Sequence, residues 1–155
     1  MPKTINEIVQ KKKKQKITVV TSYDYTMATL CDQVDILLVG DSAGMVMLGY
    51  ENTVPVTMDQ MCMFTEGVSN GRKNALIVAD LPNKSYENES DAIANSQRLI
   101  NAGADAVKLE GMLPDIIKAI IKAGIPVMGH LGLLPQTAKK YNVQGKTEHL
   151  SLIHI

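Results

Sequence analysis

Polar side chains that could bind a metal or an anion follow short apolar segments at several places in this 155-residue sequence. Asp41 and Ser42 follow ILLV, Asp80 follows ALIVA, Glu110 follows AVKL, and His130 follows the glycine of PVMG. If these segments are parallel strands of one α/β sheet, their carboxyl ends meet at one edge, where such folds bind ligands. Three converging carboxylates would each tend to take up a proton unless a cation lay between them. Because Mg²⁺ suits an all-oxygen donor set, Asp41, Asp80 and Glu110 are the predicted metal ligands.

Lys108 adds a positive charge to this predicted site. It lies two residues before Glu110, so both side chains share one face of the fourth strand. A buried lysine is costly unless it pairs with carboxylates or a bound anion, which predicts a substrate that carries a carboxylate or an enolate. Single acidic residues after strands also cap helices and form turns, and Asp24 and Ser42 could each do only that. The repetition along five strands favours a ligand site.

The elements that must position these residues alternate regularly along the chain. The predicted strands cover residues 17–21, 36–39, 75–79, 106–109 and 126–129, and the predicted helices cover 5–15, 25–33, 58–70, 89–102 and 114–123. Such alternation predicts parallel strands joined by right-handed crossovers. A doubly wound open sheet suits the length, but the GxGxxG and P-loop patterns are absent. A (βα)8 barrel needs about 250 residues, so the chain would hold only its first five βα units.

Composition narrows the class of protein. Sixteen basic residues balance sixteen acidic ones, so we expect no nucleic-acid partner, since such proteins usually carry a basic excess. The apolar runs are far shorter than the roughly 20 residues that span a bilayer, so we expect no membrane partner. Cys31 and Cys62 lack the spacing of a metal or redox motif. We therefore expect two reduced core thiols in a cytoplasmic protein.

Six segments resemble the ketopantoate hydroxymethyltransferase family, in the family's order and with nearly its spacing. They are TSYDY (21–25), LVGDSAGM (38–45), NTVPVT (52–57), VADLP (78–82), VKLEG (107–111) and GHLGLLPQ (129–136). One such segment is weak evidence, but six in order are highly specific. The resemblance covers about residues 18–145 and implies a parallel (βα)8 barrel of the phosphoenolpyruvate/pyruvate superfamily.

The resemblance also implies a reaction on the way to pantothenate. A hydroxymethyl group passes from 5,10-methylenetetrahydrofolate to 3-methyl-2-oxobutanoate through a Mg²⁺-stabilised enolate, which gives 2-dehydropantoate. By motif position, Asp41 and Asp80 would hold Mg²⁺ with help from Glu110. The residues implied to bind the keto acid are Asp41, Ser42, Asp80 and Lys108, and His130 would lie near the site. The implied partners are the 2-keto acid and the folate, and the implied assembly is a homo-oligomer.

The sequence departs from the family pattern after Lys146. The resemblance places the general-base glutamate on a later strand, so no catalytic residue is assigned within the chain. We expect residues 1–146 to be the N-terminal part of one barrel domain and 147–155 to be a tail. The last six residues, LSLIHI, are what translation of a transposon end used to prepare sequencing libraries would give, so we expect them to be a sequencing or assembly artefact. We expect the isolated chain to be inactive and to be poorly soluble or molten, because open sheet edges invite aggregation.

Two other functions stay open at this point. One is another superfamily enzyme that acts on a 2-keto acid, of the isocitrate lyase or phosphoenolpyruvate mutase type, although the chain has no catalytic-loop cysteine motif. The other is a non-catalytic binding domain of the flavodoxin-like or receiver type, which five βα units would fit at this length. Keto-acid binding that depends on Mg²⁺ favours an enzyme, whereas phosphorylation of an aspartate favours a receiver.

Overall fold

A computed structural model describes residues 1–138, so the predicted tail at 147–155 lies outside the described residues. Its five strands are all parallel and form one sheet in the order β1-β2-β3-β4-β5. The strands are β1 (Val19–Thr21), β2 (Ile36–Val39), β3 (Leu76–Asp80), β4 (Ala106–Glu110) and β5 (Val127–His130). The helices are α1 (Ile5–Lys11), α2 (Tyr25–Cys31), α3 (Ala43–Leu48), α4 (Met58–Gly71), α5 (Glu89–Asn101) and α6 (Pro114–Lys122).

The strand order decides between the two predicted architectures. Each strand pairs with the next one along the chain, as consecutive strands do in a (βα)8 barrel. In a doubly wound sheet the strand order reverses at a switch point, and the flavodoxin-like order is 2-1-3-4-5. The prediction of consecutive barrel units is therefore confirmed, and a flavodoxin-like or receiver-type domain is excluded.

The predicted strands and the longer helices are confirmed, with boundaries that shift by a few residues. The first helix ends at Lys11 rather than at residue 15, because Lys12 leaves the helical region with a ψ of 129° and Lys13 has a φ of 63°. Helix α3 was not predicted. It has six residues, carries no polar face, and ends at Gly49 with a φ of 72°. No helix described between residues 1 and 138 is long and apolar enough to cross a membrane.

The three central strands, β2 to β4, are largely buried on both faces, whereas β1 and β5 are partly exposed. Strand alternation sends successive side chains to opposite sides. Outward residues such as Val107 and Leu109 join the core beneath the helices. The inward residues Ile36, Leu76, Val78 and Ala106 form a second cluster, against which Ile5 and Ile8 of α1 pack. The inner face is thus apolar at the amino ends of the strands, where α1 covers it. Its polar residues lie at the carboxyl ends.

Candidate functional site

The predicted site residues meet at the carboxyl ends of β2 to β5. Asp80, Glu110 and His130 are the last residues of their strands, and Asp41 follows β2 by one glycine. The register places Asp80 opposite Lys108, and Glu110 opposite His130. One cavity of about 270 Å³ is lined by all six predicted residues, Asp41, Ser42, Asp80, Lys108, Glu110 and His130. The structure thus brings them together, and the expected position of His130 near the site is confirmed.

Asp80 and Lys108 form a buried ion pair on the inner face of the sheet. The Lys108 Nζ lies 2.7 Å from Asp80 Oδ1, and the two side chains are only 13% and 7% exposed. The second carboxylate oxygen of Asp80 accepts a hydrogen bond of 3.2 Å from the backbone N–H of Asp41. Burial raises the pKa of Asp80, while the charge of Lys108 acts in the opposite direction. Asp80 is therefore a desolvated carboxylate with one cationic partner.

Asp41 is a second buried carboxylate beside Asp80. Burial raises its pKa, the negative charge of Asp80 raises it further, and a hydrogen bond from Gln136 opposes both effects. A divalent cation would relieve the repulsion between the two carboxylates. Mg²⁺ usually binds proteins through one or two carboxylates and completes its octahedron with water and substrate oxygens. The Asp41 and Asp80 pair therefore fits Mg²⁺.

Glu110 is engaged with the segment after β5. Its Oε1 lies 3.1 Å from His130 Nδ1, and its Oε2 accepts a hydrogen bond of 3.1 Å from the backbone N–H of Gln136. Within residues 1–138, no three His, Cys, Asp or Glu side chains form a group that could hold a metal ion. Asp41, Asp80 and Glu110 therefore stay proposed metal ligands, and Glu110, with both oxygens already engaged, would act through water.

Ser42 occupies the N-cap position directly before α3, but its hydroxyl makes no capping hydrogen bond. The Ser42 Oγ instead lies 2.7 Å from the hydroxyl of Tyr23. Asp24, in contrast, caps α2 by accepting a hydrogen bond from the backbone N–H of Met27. The capping alternative is thus correct for Asp24, while Ser42 faces the cavity.

Sequence reasoning missed three residues at this site. Tyr23 holds Ser42, as described above, and Thr53 lines the cavity with a buried hydroxyl that has no partner among residues 1–138. Gln136 follows β5 and donates a hydrogen bond of 2.8 Å to Asp41 Oδ2. All three lie inside segments that carry the family resemblance, TSYDY, NTVPVT and GHLGLLPQ. The family resemblance of those segments was the only sequence feature that could have identified them, because neutral side chains do not by themselves indicate a metal or anion site.

The fold and site define a class of protein, an α/β barrel with an acidic site at the carboxyl ends of its strands. Two crystal structures of 2,3-dimethylmalate lyase, a PEP mutase/isocitrate lyase superfamily member, share this fold. The triclinic form has a TM-score of 0.58 at 18% identity and covers 74% of this chain and 47% of that chain. The trigonal form has a TM-score of 0.63 at 17% identity and covers 83% of this chain and 51% of that chain.

The sequence comparison identifies the family. The family model for ketopantoate hydroxymethyltransferase matches residues 2–153, so the chain belongs to this family. The match is longer than the expected 18–145 and continues past Lys146, where the sequence pattern predicted that the resemblance ends. It is 62% identical to the 3-methyl-2-oxobutanoate hydroxymethyltransferase of Nitrosopumilus maritimus, over 96% of this chain and 56% of that protein. It is 60% identical to the Cenarchaeum symbiosum enzyme of the same name, over 89% of this chain and 55% of that protein. The chain thus spans about half the length of the curated relatives it matches.

Proposed function

We propose that this chain supplies the keto-acid site of a 3-methyl-2-oxobutanoate hydroxymethyltransferase. The reaction transfers a hydroxymethyl group from 5,10-methylenetetrahydrofolate to 3-methyl-2-oxobutanoate and yields 2-dehydropantoate for pantothenate biosynthesis. The observation that carries the proposal is the pair of buried carboxylates, Asp41 and Asp80, beside Lys108 in one cavity. Membership in the family supports the choice of reaction.

Asp41 and Asp80 would hold Mg²⁺, and Glu110 would contribute through a water molecule. Bound there, the ion supplies Lewis-acid polarisation of the 2-keto oxygen, which makes a neighbouring C–H proton easier to remove. The protein's own part is to keep two carboxylates desolvated and adjacent, with Lys108 balancing one of the charges. We assign no residue of the described part of the chain as the general base.

Lys108 and Ser42 are the proposed donors to the keto acid. An ammonium group has three N–H donors, and Asp80 accepts one of those of Lys108. The remaining donors can bind an oxygen of an anionic substrate. Leu38 and Met45 line the same cavity and would contact the apolar branch of 3-methyl-2-oxobutanoate. The cavity thus combines cationic donors with an apolar wall, as a branched keto acid requires.

A cytoplasmic location and a homo-oligomeric assembly complete the proposal. Cys31 and Cys62 are both free thiols and both pack against the core. Free thiols are typical of a reducing compartment, which supports the location. The assembly is proposed from the family resemblance.

The test is binding of 3-methyl-2-oxobutanoate to the protein expressed at the full length that its gene encodes. Isothermal titration with and without Mg²⁺ should show keto-acid binding that depends on the ion, and proton NMR in D₂O should show exchange at C3 of the keto acid. Asp41→Asn should abolish the dependence on Mg²⁺. Asp59→Asn, which changes a carboxylate that is 89% exposed, is the matched control. Equal binding with and without Mg²⁺ in the unaltered protein would overturn the proposal.

A further inference from the structure

Gln136 forms the densest hydrogen-bond network at the site, although no charge marks it in the sequence. It is a buried residue on the segment after β5. Its side-chain Nε2 donates to Asp41 Oδ2 at 2.8 Å and to the backbone oxygen of Leu81 at 3.0 Å. Its Oε1 accepts a hydrogen bond of 2.5 Å from the Tyr86 hydroxyl, and its backbone N–H donates to Glu110 at 3.1 Å. This one residue thus connects the carboxyl ends of β2, β3 and β4.

The orientation of the Gln136 amide is fixed by its partners. A backbone carbonyl can only accept a hydrogen bond, so the Nε2 group must face Leu81 and, beside it, Asp41. The Oε1 atom then faces Tyr86, whose hydroxyl must donate. Burial raises the pKa of Tyr86 to about 12, which keeps that proton in place near neutral pH. Every side-chain hydrogen-bonding direction from Tyr86 to Asp41 is therefore determined.

Asp41 depends on this network for its orientation. It lies outside β2, in the turn that leads to α3, where no strand pairing fixes its side chain. Gln136, which lies 95 residues away in sequence, donates a hydrogen bond of 2.8 Å to its carboxylate. The Thr53 hydroxyl also lies close enough to lower the pKa of Asp41, with a smaller effect than that of Gln136. Without the bond from Gln136, the carboxylate could turn away from Asp80.

We propose that Gln136, held by Tyr86, is a positioning residue that aims the Asp41 carboxylate into the cavity. The inference rests on the proposed function only for what Asp41 binds. Partners that orient a metal-binding carboxylate typically change metal affinity by 10–100-fold when they are removed. Gln136 would act in this way, without contacting the ion or the reacting atoms.

The first measurement needs no metal. Crystal structures of the full-length protein and its Gln136→Met variant, grown without divalent ions, would compare the position of the Asp41 carboxylate. Methionine keeps the length and burial of glutamine but donates no hydrogen bond. The carboxylate should leave its position beside Asp80 in the variant while the strands stay in place. An unmoved Asp41 carboxylate would overturn the proposal.

The second measurement is the affinity for Mn²⁺, used as the probe ion in the presence of 3-methyl-2-oxobutanoate. Gln136→Met should weaken Mn²⁺ binding by about 10–100-fold with an intact fold, and Tyr86→Phe should weaken it by a smaller factor. Gln97→Met makes the same chemical change on the exposed side of α5 and should have no effect.

The outcomes separate this inference from the proposed function. If the unaltered protein binds no Mn²⁺, the proposed function fails, while the crystal structures still decide whether Gln136 holds Asp41. If Gln136→Met does not fold, Tyr86→Phe decides in its place, because it leaves the contact with Asp41 and removes only the anchor. An unchanged Mn²⁺ affinity in whichever of these variants folds would overturn the positioning role.

Discussion

Asp80 and Lys108 lie opposite each other in the backbone register of β3 and β4, and their side chains form an ion pair of 2.7 Å on the inner face of the sheet. Parallel pairing places the two Cα atoms side by side, and strand alternation turns both side chains inward. The pair therefore follows from the register rather than from a flexible loop. Its position is as rigid as the sheet, and a site built on such elements holds its geometry well.

Lys108→Met should both destabilise the protein and weaken keto-acid binding. The change leaves Asp80 buried without its counter-charge, and breaking a buried pair in this way typically costs about 3–5 kcal/mol. Urea unfolding of the full-length protein would measure the loss of stability, and isothermal titration would measure binding. Lys118→Met is the control, because Lys118 is 77% exposed on α6 and, within residues 1–138, pairs only with the exposed Asp115. Equal effects of the two substitutions would contradict this account of Lys108.

The strand-end pattern was enough to predict which charged residues meet at the site. Once parallel pairing is assumed, Asp41, Asp80, Glu110 and His130 must share one edge of the sheet, and the spacing of Lys108 from Glu110 places both on one face. The choice between a barrel and a doubly wound sheet was not available from this pattern. Both folds alternate strands and helices, so the barrel was implied by the family resemblance and then confirmed by the observed strand order.

The finer contacts of the site could not be predicted, because they join residues far apart in sequence. Gln136 contacts Tyr86 and Asp41 across 50 and 95 residues, and no local pattern specifies such pairs. Glu110 shows the consequence. Its residue type and position predicted a metal ligand, but the structure engages it with His130 and the backbone of Gln136. Helix α3 was not predicted, because its six residues are all apolar and show no alternation of polar and apolar positions with a helical period.

Asp32 should make the stability of the protein fall in acid. Burial acts to raise its pKa, but hydrogen bonds from the backbone N–H groups of Asn74, Lys73 and Ala75 outweigh burial and lower it. These bonds tie the end of α2 to the turn before β3. A carboxylate with a lowered pKa in the folded state stabilises the protein above its unfolded pKa, near 3.8. That contribution is lost as the pH falls through the lower, folded value.

The check is the pH dependence of urea unfolding, followed from pH 7 down to about pH 3. Asp32→Asn should be less stable than the unaltered protein at pH 7, and the difference should shrink steadily below about pH 4. Asp59→Asn removes a carboxylate that is 89% exposed and pairs with Arg98 at the surface, so its pH-dependent effect should be much smaller. A difference between Asp32→Asn and the unaltered protein that stays constant with pH would contradict the role of the Asp32 charge.

Ser96→Ala should stabilise the protein, whereas Ser85→Ala should destabilise it. The Ser96 hydroxyl is fully buried in α5 and has no hydrogen-bond partner among the described residues. Its removal relieves an unsatisfied polar group and introduces the best helix former. The Ser85 hydroxyl donates to the backbone oxygen of Pro82 at 2.7 Å, and its loss should cost about 1 kcal/mol. Thermal unfolding of both variants measures the two stability changes. A Ser96→Ala variant less stable than the unaltered protein would contradict the view that the Ser96 hydroxyl is unsatisfied.

Two glycines of α4 should respond to alanine in opposite directions, because one has room for a Cβ and the other does not. A Cβ at Gly67 would lie 3.8 Å from the backbone of Asp24 and Tyr25, an ordinary van der Waals contact. Gly67→Ala should therefore stabilise the helix by about 0.5–1 kcal/mol, through the higher helix propensity of alanine. A Cβ at Gly71 would lie 2.4 Å from the backbone oxygen of Tyr25 and 2.9 Å from the Cβ of Ala28.

Gly71→Ala must then push α2 away from α4, because the nearest atom belongs to the backbone and cannot rotate aside. Overpacking of this kind typically costs about 1–3 kcal/mol. The free energies of unfolding of the two variants should therefore differ by more than the gain in helix propensity expected for Gly67→Ala. Urea unfolding of the full-length protein measures both changes under one condition, and each glycine serves as the control for the other. If Gly71→Ala were as stable as Gly67→Ala, the close packing of α2 on the end of α4 would be refuted. The displacement of α2 should also reach the site. Helix α2 begins at Tyr25, two residues after Tyr23, and the Tyr23 hydroxyl is the hydrogen-bond partner of Ser42.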